Sequence, residues 1–371
     1  MLKLSQSTLS HAELKIINEV IQEGYLGMGA FVKKFEEELR IYLKTDREIV
    51  TTNTGTSALH LAIQACGIGP GDEVILPSIT YVGCFQAISA TGAKPIACDI
   101  RLNDGMIDIP DMQKRINTRT KAIMAVHYAG STNGIKEIRQ IAKKYGLRLI
   151  EDAAHSFGGD FEDNKIGATG DIVCFSFDSI KNITCGEGGA VVTDDKNVAN
   201  KIRDLRLLGV EKDSENRFQK KRSWDFDVTE QGWRYHMSNI NAAIGLAQLS
   251  KADHFKQKRQ HLVQLYINLL KETGIIPLLK IDKDANPHIF PIRVLGEQCN
   301  RLKDYLSSHG IETGKHYKPN HTLTAFKQGA LSNAELFWEQ ELTLPLHCNL
   351  KEADIDYICC SINNFFQEVK K

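Results

Sequence analysis

The sequence predicts an α/β fold: a large, doubly wound domain around a mostly parallel sheet, followed by a smaller C-terminal α+β domain. Three observations carry this. Between about residues 48 and 194, short apolar runs alternate with helical stretches. Tight-turn residues, such as Gly69-Pro70-Gly71-Asp72, stand just before the runs. After Thr193 the pattern becomes mainly helical. Strands that are apolar along their whole length and separated by helices are covered on both faces, which is the arrangement of a parallel sheet.

The expected strands are residues 73–77, 94–100, 121–127, 147–152, 172–177 and 190–193, with helices at 57–66, 84–91 and 135–145. Val198, Ile202, Leu205 and Leu208 recur at helical spacing, whereas residues 212–223 are polar and read as a loop. A long helical pattern spans 238–271, with a kink expected near 251–254. A strand at 288–295, a helix at 298–309, a polar segment around Pro319 and a last helix at 352–369 complete the chain. We place the domain boundary within the long helix, giving residues 1–250 as the large unit and 251–371 as the small one. Neither internal repeats nor low-complexity tracts are present.

With 371 residues, 42% of them hydrophobic, the chain has ample length for a large core. Lys+Arg and Asp+Glu both number 46, so charge gives no reason to expect a nucleic-acid or membrane-surface partner. Residues 1–14 lack a basic stretch followed by an apolar one, and no apolar run is long enough to span a bilayer. The nine cysteines include no Cys-x-x-Cys pair, and Cys84, Cys98 and Cys174 lie in apolar runs. We therefore expect reduced, buried cysteines, a cytoplasmic location and no metal site.

Four segments carry chemistry. Glu151-Asp152-Ala153-Ala154-His155 ends an expected strand, so Asp152 sits at the sheet edge where ligands bind in open α/β folds. Alone, it equally fits a strand-end cap, a metal ligand or a ribose partner. Phe175-Ser176-Phe177-Asp178-Ser179-Ile180-Lys181 brings a hydroxyl and an amine into one turn. A lone lysine is usually a solvated charge, but here apolar strands and the Gly186-Glu187-Gly188-Gly189 loop flank it. Asn53-Thr54-Gly55-Thr56-Ser57 opens directly into a helix, whose free N–H groups and dipole favour an anion. Plain N-capping explains that segment equally well by itself. It is not a Walker loop, and no Gly-x-Gly-x-x-Gly follows a strand, which counts against a nucleotide-binding oxidoreductase. Taken together, a phosphate cradle, a phosphate hydroxyl, a strand-end carboxylate and an amine are what pyridoxal 5′-phosphate (PLP) needs.

On these residues the chain resembles the DegT/StrS-type sugar aminotransferases, within the fold-type-I PLP-dependent enzymes. The similarity runs from Gly27-Met28-Gly29 to Leu344-Pro345-Leu346-His347. Its most specific parts are Gly55-Thr56-Ser57-Ala58-Leu59, Glu151-Asp152-Ala153-Ala154, and Lys181 followed by Thr184-x-Gly186-Glu187-Gly188-Gly189. The resemblance implies that Lys181 condenses with the cofactor aldehyde and that Asp152 pairs with the pyridine nitrogen. It implies phosphate contacts from Ser176, Gly55 and Thr56, an aromatic stack from Tyr81, and His155 beside the 3′-oxygen. It further implies a homodimer with shared sites, a nucleotide-sugar substrate and an amino-acid donor.

Two segments extend or depart from that pattern. Where many members have Gly-Tyr-Asn-Tyr-Arg, this chain has Gly232-Trp233-Arg234-Tyr235-His236. Arg234 takes the place of an Asn that reaches the neighbouring subunit's phosphate, and His236 that of an Arg. Trp233 and Tyr235 read as packing residues. The segment Gly314-Lys315-His316-Tyr317-Lys318-Pro319-Asn320-His321 matches one that the family places near the sugar nucleotide, with Lys315 and Lys318 as diphosphate candidates and His316, Tyr317 and His321 as substrate contacts. The same residues fit an exposed polar loop equally well. The family also holds PLP-dependent sugar dehydratases, which carry His in place of the lysine; Lys181 favours transamination. Cyclitol aminotransferases and a non-catalytic regulatory relative are the remaining alternatives.

Overall fold

The computed structural model describes residues 1–219, 225–271, 273, 275–278 and 284–369. Seven strands form the main sheet: β1 (Glu48–Thr52), β2 (Glu73–Pro77), β3 (Lys94–Cys98), β4 (Thr120–Val126), β5 (Arg148–Asp152), and, after a hairpin of β6 (Asp160–Phe161) and β7 (Asn164–Lys165), β8 (Ile172–Ser176) and β9 (Gly189–Thr193). Their order is β1-β9-β8-β5-β4-β2-β3. Only β9 runs against the others, pairing antiparallel with both β1 and β8. A three-stranded antiparallel sheet, β10 (Ile276–Pro277), β11 (Phe290–Arg293) and β12 (Glu341–Leu344), lies in the C-terminal part.

The helices are α1 (His11–Glu23), α2 (Ala30–Leu43), α3 (Gly55–Ala65), α4 (Val82–Ala90), α5 (Ile109–Arg115), α6 (Ile135–Tyr145), α7 (Lys196–Leu205), α8 (Asp213–Phe218), α9 (Asn239–Leu249), α10 (Ala252–Leu269), α11 (Cys299–Ser308), α12 (Ser332–Gln340) and α13 (Glu352–Val369). α6 and α13 occupy the spans expected from sequence. The expected loop at 212–223 contains α8 instead; residues 220–224 lie outside the described residues. β1 was not among the expected strands. Its two threonines, Thr51 and Thr52, blur an apolar run that is nonetheless buried. The long helical pattern is broken at Ser250 and Lys251 into α9 and α10, at the start of the expected kink.

Alternate residues of the central strands enter two separate apolar cores. Along β8, Ile172 and Cys174 join the cluster that holds α3, α4 and α6, while Val173 and Phe175 join the one that holds α2 and α9. This is the two-faced burial that near-continuous apolar strands require. Beneath α2, the fully buried Arg206 places its Nη1 2.7 Å from Glu36 Oε1 and 2.7 Å from the Thr51 carbonyl, so its charge is paired where β1, α2 and α7 meet. The first residues cross to the C-terminal part: Leu2 bridges Ile311, and the Leu346 N–H donates to the Leu4 carbonyl at 3.1 Å. All nine cysteines are unpaired. Among the described residues, no helix is long and apolar enough to cross a membrane.

Candidate active site

The C-terminal ends of β5 and β8 and the starts of α3 and α4 enclose a cavity of about 550 Å³, in the size range of small-molecule sites. Lys181, Asp152, His155, Ser176, Gly55, Thr56, Tyr81, His316 and Tyr317 all line it. Residues spread over more than 250 positions of the sequence thus share one space.

The turn after β8 aims the lysine. The Lys181 N–H donates to the Asp178 carbonyl at 3.1 Å, and the Cys185 N–H to that of Phe177 at 2.8 Å. From α10, the guanidinium of Arg259 donates to the carbonyls of Asn182 at 3.1 Å and Lys181 at 3.4 Å. Burial lowers the basicity of the Lys181 amine, against the opposing pull of Asp152 and Asp178. A larger share of neutral amine is what a nucleophile toward an aldehyde needs. Its Nζ lies 3.4 Å from His288 Nε2.

Asp152 ends β5 with both oxygens engaged. Oδ1 accepts from the Ala154 N–H at 3.1 Å, and Oδ2 from the Cys84 thiol at 3.0 Å. Burial, then Asp152 itself, pushes Cys84 well above the usual thiol range, so it stays a donor. A carboxylate fixed by two donors keeps its orientation toward a protonated ring nitrogen. Beside it, His155 Nδ1 accepts from the Ala129 N–H at 3.2 Å, which leaves Nε2–H to donate to the Tyr317 hydroxyl at 3.0 Å. Burial, followed by Lys181, His316 and His127, holds this imidazole neutral.

At the start of α3, Thr54 and Ser57 form a reciprocal capping box, while the N–H groups of Gly55 and Thr56, at the first two helical positions, have no intrahelical acceptor. A Cβ on Gly55 would stand 2.7 Å from Ser176 Cβ, so the glycine is what lets the helix start and the serine hydroxyl meet. Two free N–H groups, a hydroxyl and a helix dipole at one point suit a phosphate monoester. The amine, carboxylate and cradle fit PLP. Tyr81 stands at the wall of the cavity with more than half its surface exposed, 6.1 Å from Tyr317 between ring centroids.

Other candidates fall outside this chain's cavity. Arg234 is exposed, on a segment that bridges Leu207, and does not line the site. His236 is half-buried outside the lining; burial, then Arg217 and Arg234, pushes it down to about 4. Trp233 stacks on Tyr235 at 5.7 Å and donates from Nε1 to Gln64 on α3 at 2.8 Å. Lys318 projects to solvent away from the lining. Lys315 donates to the carbonyls of Trp338 and Glu339 and lies over the Trp338 ring, which turns it from a diphosphate. His321 is buried between Ser78 Oγ, 2.7 Å from Nδ1, and Glu335, 3.0 Å from Nε2, so both nitrogens are spent within the chain. Sequence reasoning missed Cys84 and His288. Cys84 follows Thr80 by four positions on an apolar helix, where it reads as core. His288 lies 107 positions from Lys181, and nothing local connects the two.

A buried amine of lowered basicity, a fixed carboxylate and a phosphate cradle in one cavity of a doubly wound sheet define an enzyme of the PLP-dependent transferase class. The profile of the DegT/DnrJ/EryC1/StrS aminotransferase family matches residues 7–363, and the chain belongs to that family. It is similar to the aminotransferase TlmJ from Streptoalloteichus hindustanus, at 29% identity and a TM-score of 0.93 over 100% of both chains. Helicobacter pylori PseC, an aminotransferase involved in the biosynthesis of pseudoaminic acid, aligns at 30% identity and 0.91 over 99% of each chain. The PLP-form of Spr1654 from Streptococcus pneumoniae, a putative sugar aminotransferase, aligns at 28% and 0.92 over 99% of each. The chain is accordingly an aminotransferase whose cofactor is pyridoxal 5′-phosphate.

Proposed function

We propose that this enzyme transfers an amino group from an amino acid, glutamate being the expected donor, to a 3-keto or 4-keto nucleotide hexose, yielding an amino-sugar for glycan or secondary-metabolite synthesis. The observation that carries the reading is the single cavity lined by Lys181, Asp152 and the Gly55–Ser176 cradle. The sugar aminotransferases among its structural relatives support the substrate class. We place the reaction in the cytoplasm, in keeping with nine unpaired thiols.

When bound, PLP supplies the electron sink that makes a Cα proton of the donor removable. The protein does the rest. Gly55, Thr56 and Ser176 would anchor the phosphate. Asp152, oriented by Cys84 and the Ala154 N–H, would hold the proton on the ring nitrogen. Tyr81 would cover one face of the ring, and His155, whose two nitrogens are engaged by the Ala129 N–H and the Tyr317 hydroxyl, would wall the side of the 3′-oxygen. The Lys181 amine, its basicity lowered by burial, would take the proton from the donor's Cα and return it. His316 and Tyr317 form the wall against which the sugar would lie. Arg234, turned outward from its own cavity, would serve the phosphate of a partner subunit in a homodimer.

Two measurements test this. Lys181→Ala should remove both the absorbance of the lysine-bound cofactor and turnover; retention of either would refute the lysine's assignment. Incubation with glutamate and a panel of 3-keto and 4-keto nucleotide sugars, read by mass spectrometry, should show C=O replaced by CH–NH₂ in one of them. Formation of a deoxy-sugar without 2-oxoglutarate would identify a dehydratase instead.

A further inference from the structure

On the C-terminal side of the cavity, a carboxyl, a hydroxyl and an imidazole are joined in a row. Glu341 and Thr343 of β12 are both fully buried. Thr343 Oγ1 lies 2.5 Å from Glu341 Oε1, and His316 Nδ1 lies 2.8 Å from Thr343 Oγ1. The His316 backbone N–H donates to Glu341 Oε2 at 2.9 Å, and Gly314 pairs with Thr343 through two backbone bonds, which pins the three groups to one strand. The far nitrogen of the imidazole, Nε2, has no protein partner among the described hydrogen bonds, and His316 lines the cavity.

This row has two self-consistent arrangements. With Glu341 ionised, the Thr343 hydroxyl donates to Oε1; its oxygen then accepts from His316 Nδ1–H, and Nε2 faces the cavity as a bare acceptor. Because Oε2 already accepts a backbone N–H, a proton on the carboxyl resides on Oε1. Glu341 O–H then donates to Thr343, the Thr343 hydroxyl donates to Nδ1, and Nε2 carries the hydrogen. One proton separates the two states. It enters at Nε2, the Nδ1 proton passes to the Thr343 oxygen, and the Thr343 proton passes to Glu341. The imidazole is neutral at both ends. We propose that the Glu341–Thr343 pair sets the polarity of His316, making its cavity-facing Nε2 a hydrogen-bond donor when Glu341 is protonated and an acceptor when it is ionised.

The surroundings favour this. Burial pushes the Glu341 carboxyl up to about 8, against the bonds from Thr343 and His316 and the charge of Lys315. Burial, then Lys181, holds the His316 imidazole down to about 4. Of the groups facing Glu341, Tyr128 and Tyr317 are pushed well above the usual phenol range and Cys299 is raised, all by burial first. Lys315 is tied to Trp338, and Arg293, opposite Glu341 across the ladder, spends its guanidinium on Gln340 and the Leu102 carbonyl. Facing His316, the imidazoles of His155 and His288 are held neutral by burial. Lys181 also faces His316, and burial lowers the basicity of that amine. Near neutral pH the cavity therefore offers a donor at this point, suited to a carbonyl or phosphoryl oxygen. Above it, the same atom suits a hydroxyl. That consequence for the substrate rests on the function proposed above; the tautomer itself does not.

The test is nitrogen NMR of PLP-loaded enzyme carrying ¹⁵N-histidine, titrated from about pH 6 to 9.5. In the native enzyme, the His316 tautomer ratio should invert in favour of Nδ1–H as pH rises, by roughly tenfold per pH unit near the midpoint, with no ring charging. Glu341→Gln, whose carbonyl oxygen is claimed by the His316 N–H so that its NH₂ group turns to Thr343, should lock Nε2–H across the range. Thr343→Val should uncouple the ring from pH, and Thr343→Ser should restore the inversion. A single His316 tautomer in the native enzyme at every pH, or an inversion that persists in Glu341→Gln, would overturn the proposal. The native titration decides by itself, so the test stands even where a variant folds poorly. Failure of transamination with every keto-sugar would sink the functional reading without touching this result.

Discussion

At the residue scale, the site depends on contacts too close for substitution. Gly55 has no side chain because Ser176 occupies the place a Cβ would take, 2.7 Å away. Gly55→Ala must push the helix start from the serine or displace the serine itself, at a cost of about 1–3 kcal/mol. We expect the affinity of the apoprotein for PLP to fall by roughly tenfold to a hundredfold, since about 1.4 kcal/mol is a factor of ten. Fluorescence titration of the apoprotein would measure it, and because the crowding is present without cofactor, the thermal stability of the apoprotein should fall as well. Cys84 belongs to the same scale. Its thiol is a donor only because burial and the Asp152 charge keep it protonated, so a residue that reads as core in the sequence orients the carboxylate.

At the element scale, α1 is held by polar groups at its start. Ser10 and Glu13 form a capping box, and Glu13 also takes Gln248 of α9 and Lys251. Burial by itself would raise the Glu13 carboxyl, but Lys251, Gln248 and the Ser10 N–H outweigh it and hold it down to about 2. A folded-state value below the unfolded one means that this contribution is complete above about pH 4.5 and is lost as pH falls toward 2. Stability measured by denaturant should therefore decline over that window, and Glu13→Gln should flatten that part of the decline. A wild-type and variant pair with parallel acid profiles would contradict the role given to Glu13. Helices α1, α2, α5 and α12 were not expected from the sequence; most others were legible, because apolar spacing is local. The α8 helix was not: Asp213–Phe218 is short and polar, and its Arg217–Asp213 pair lends support that periodicity does not register.

At the scale of the whole molecule, we propose that the chain divides at the break between α9 and α10, into units of residues 1–250 and 251–371, with the N-terminal strand-like residues crossing to the second. We further propose a homodimer, and sedimentation equilibrium should return twice 41.5 kDa; a monomer at the concentrations that support turnover would remove the role given to Arg234. By itself, the sequence determined the doubly wound sheet, the strand-end Asp152, the Lys181 turn and the capped start of α3, because each is written in consecutive residues whose periodicity or turn chemistry acts locally. Only the tertiary structure decided that His321 is spent on Ser78 and Glu335, that Lys315 is tied to Trp338, that His288 meets Lys181, and that the Glu341–Thr343 pair backs His316. The physical reason is distance along the chain. Hydrogen-bond partners, burial and hence protonation are set by groups that here stand from 14 to 243 positions apart, and no local pattern encodes which of them will meet.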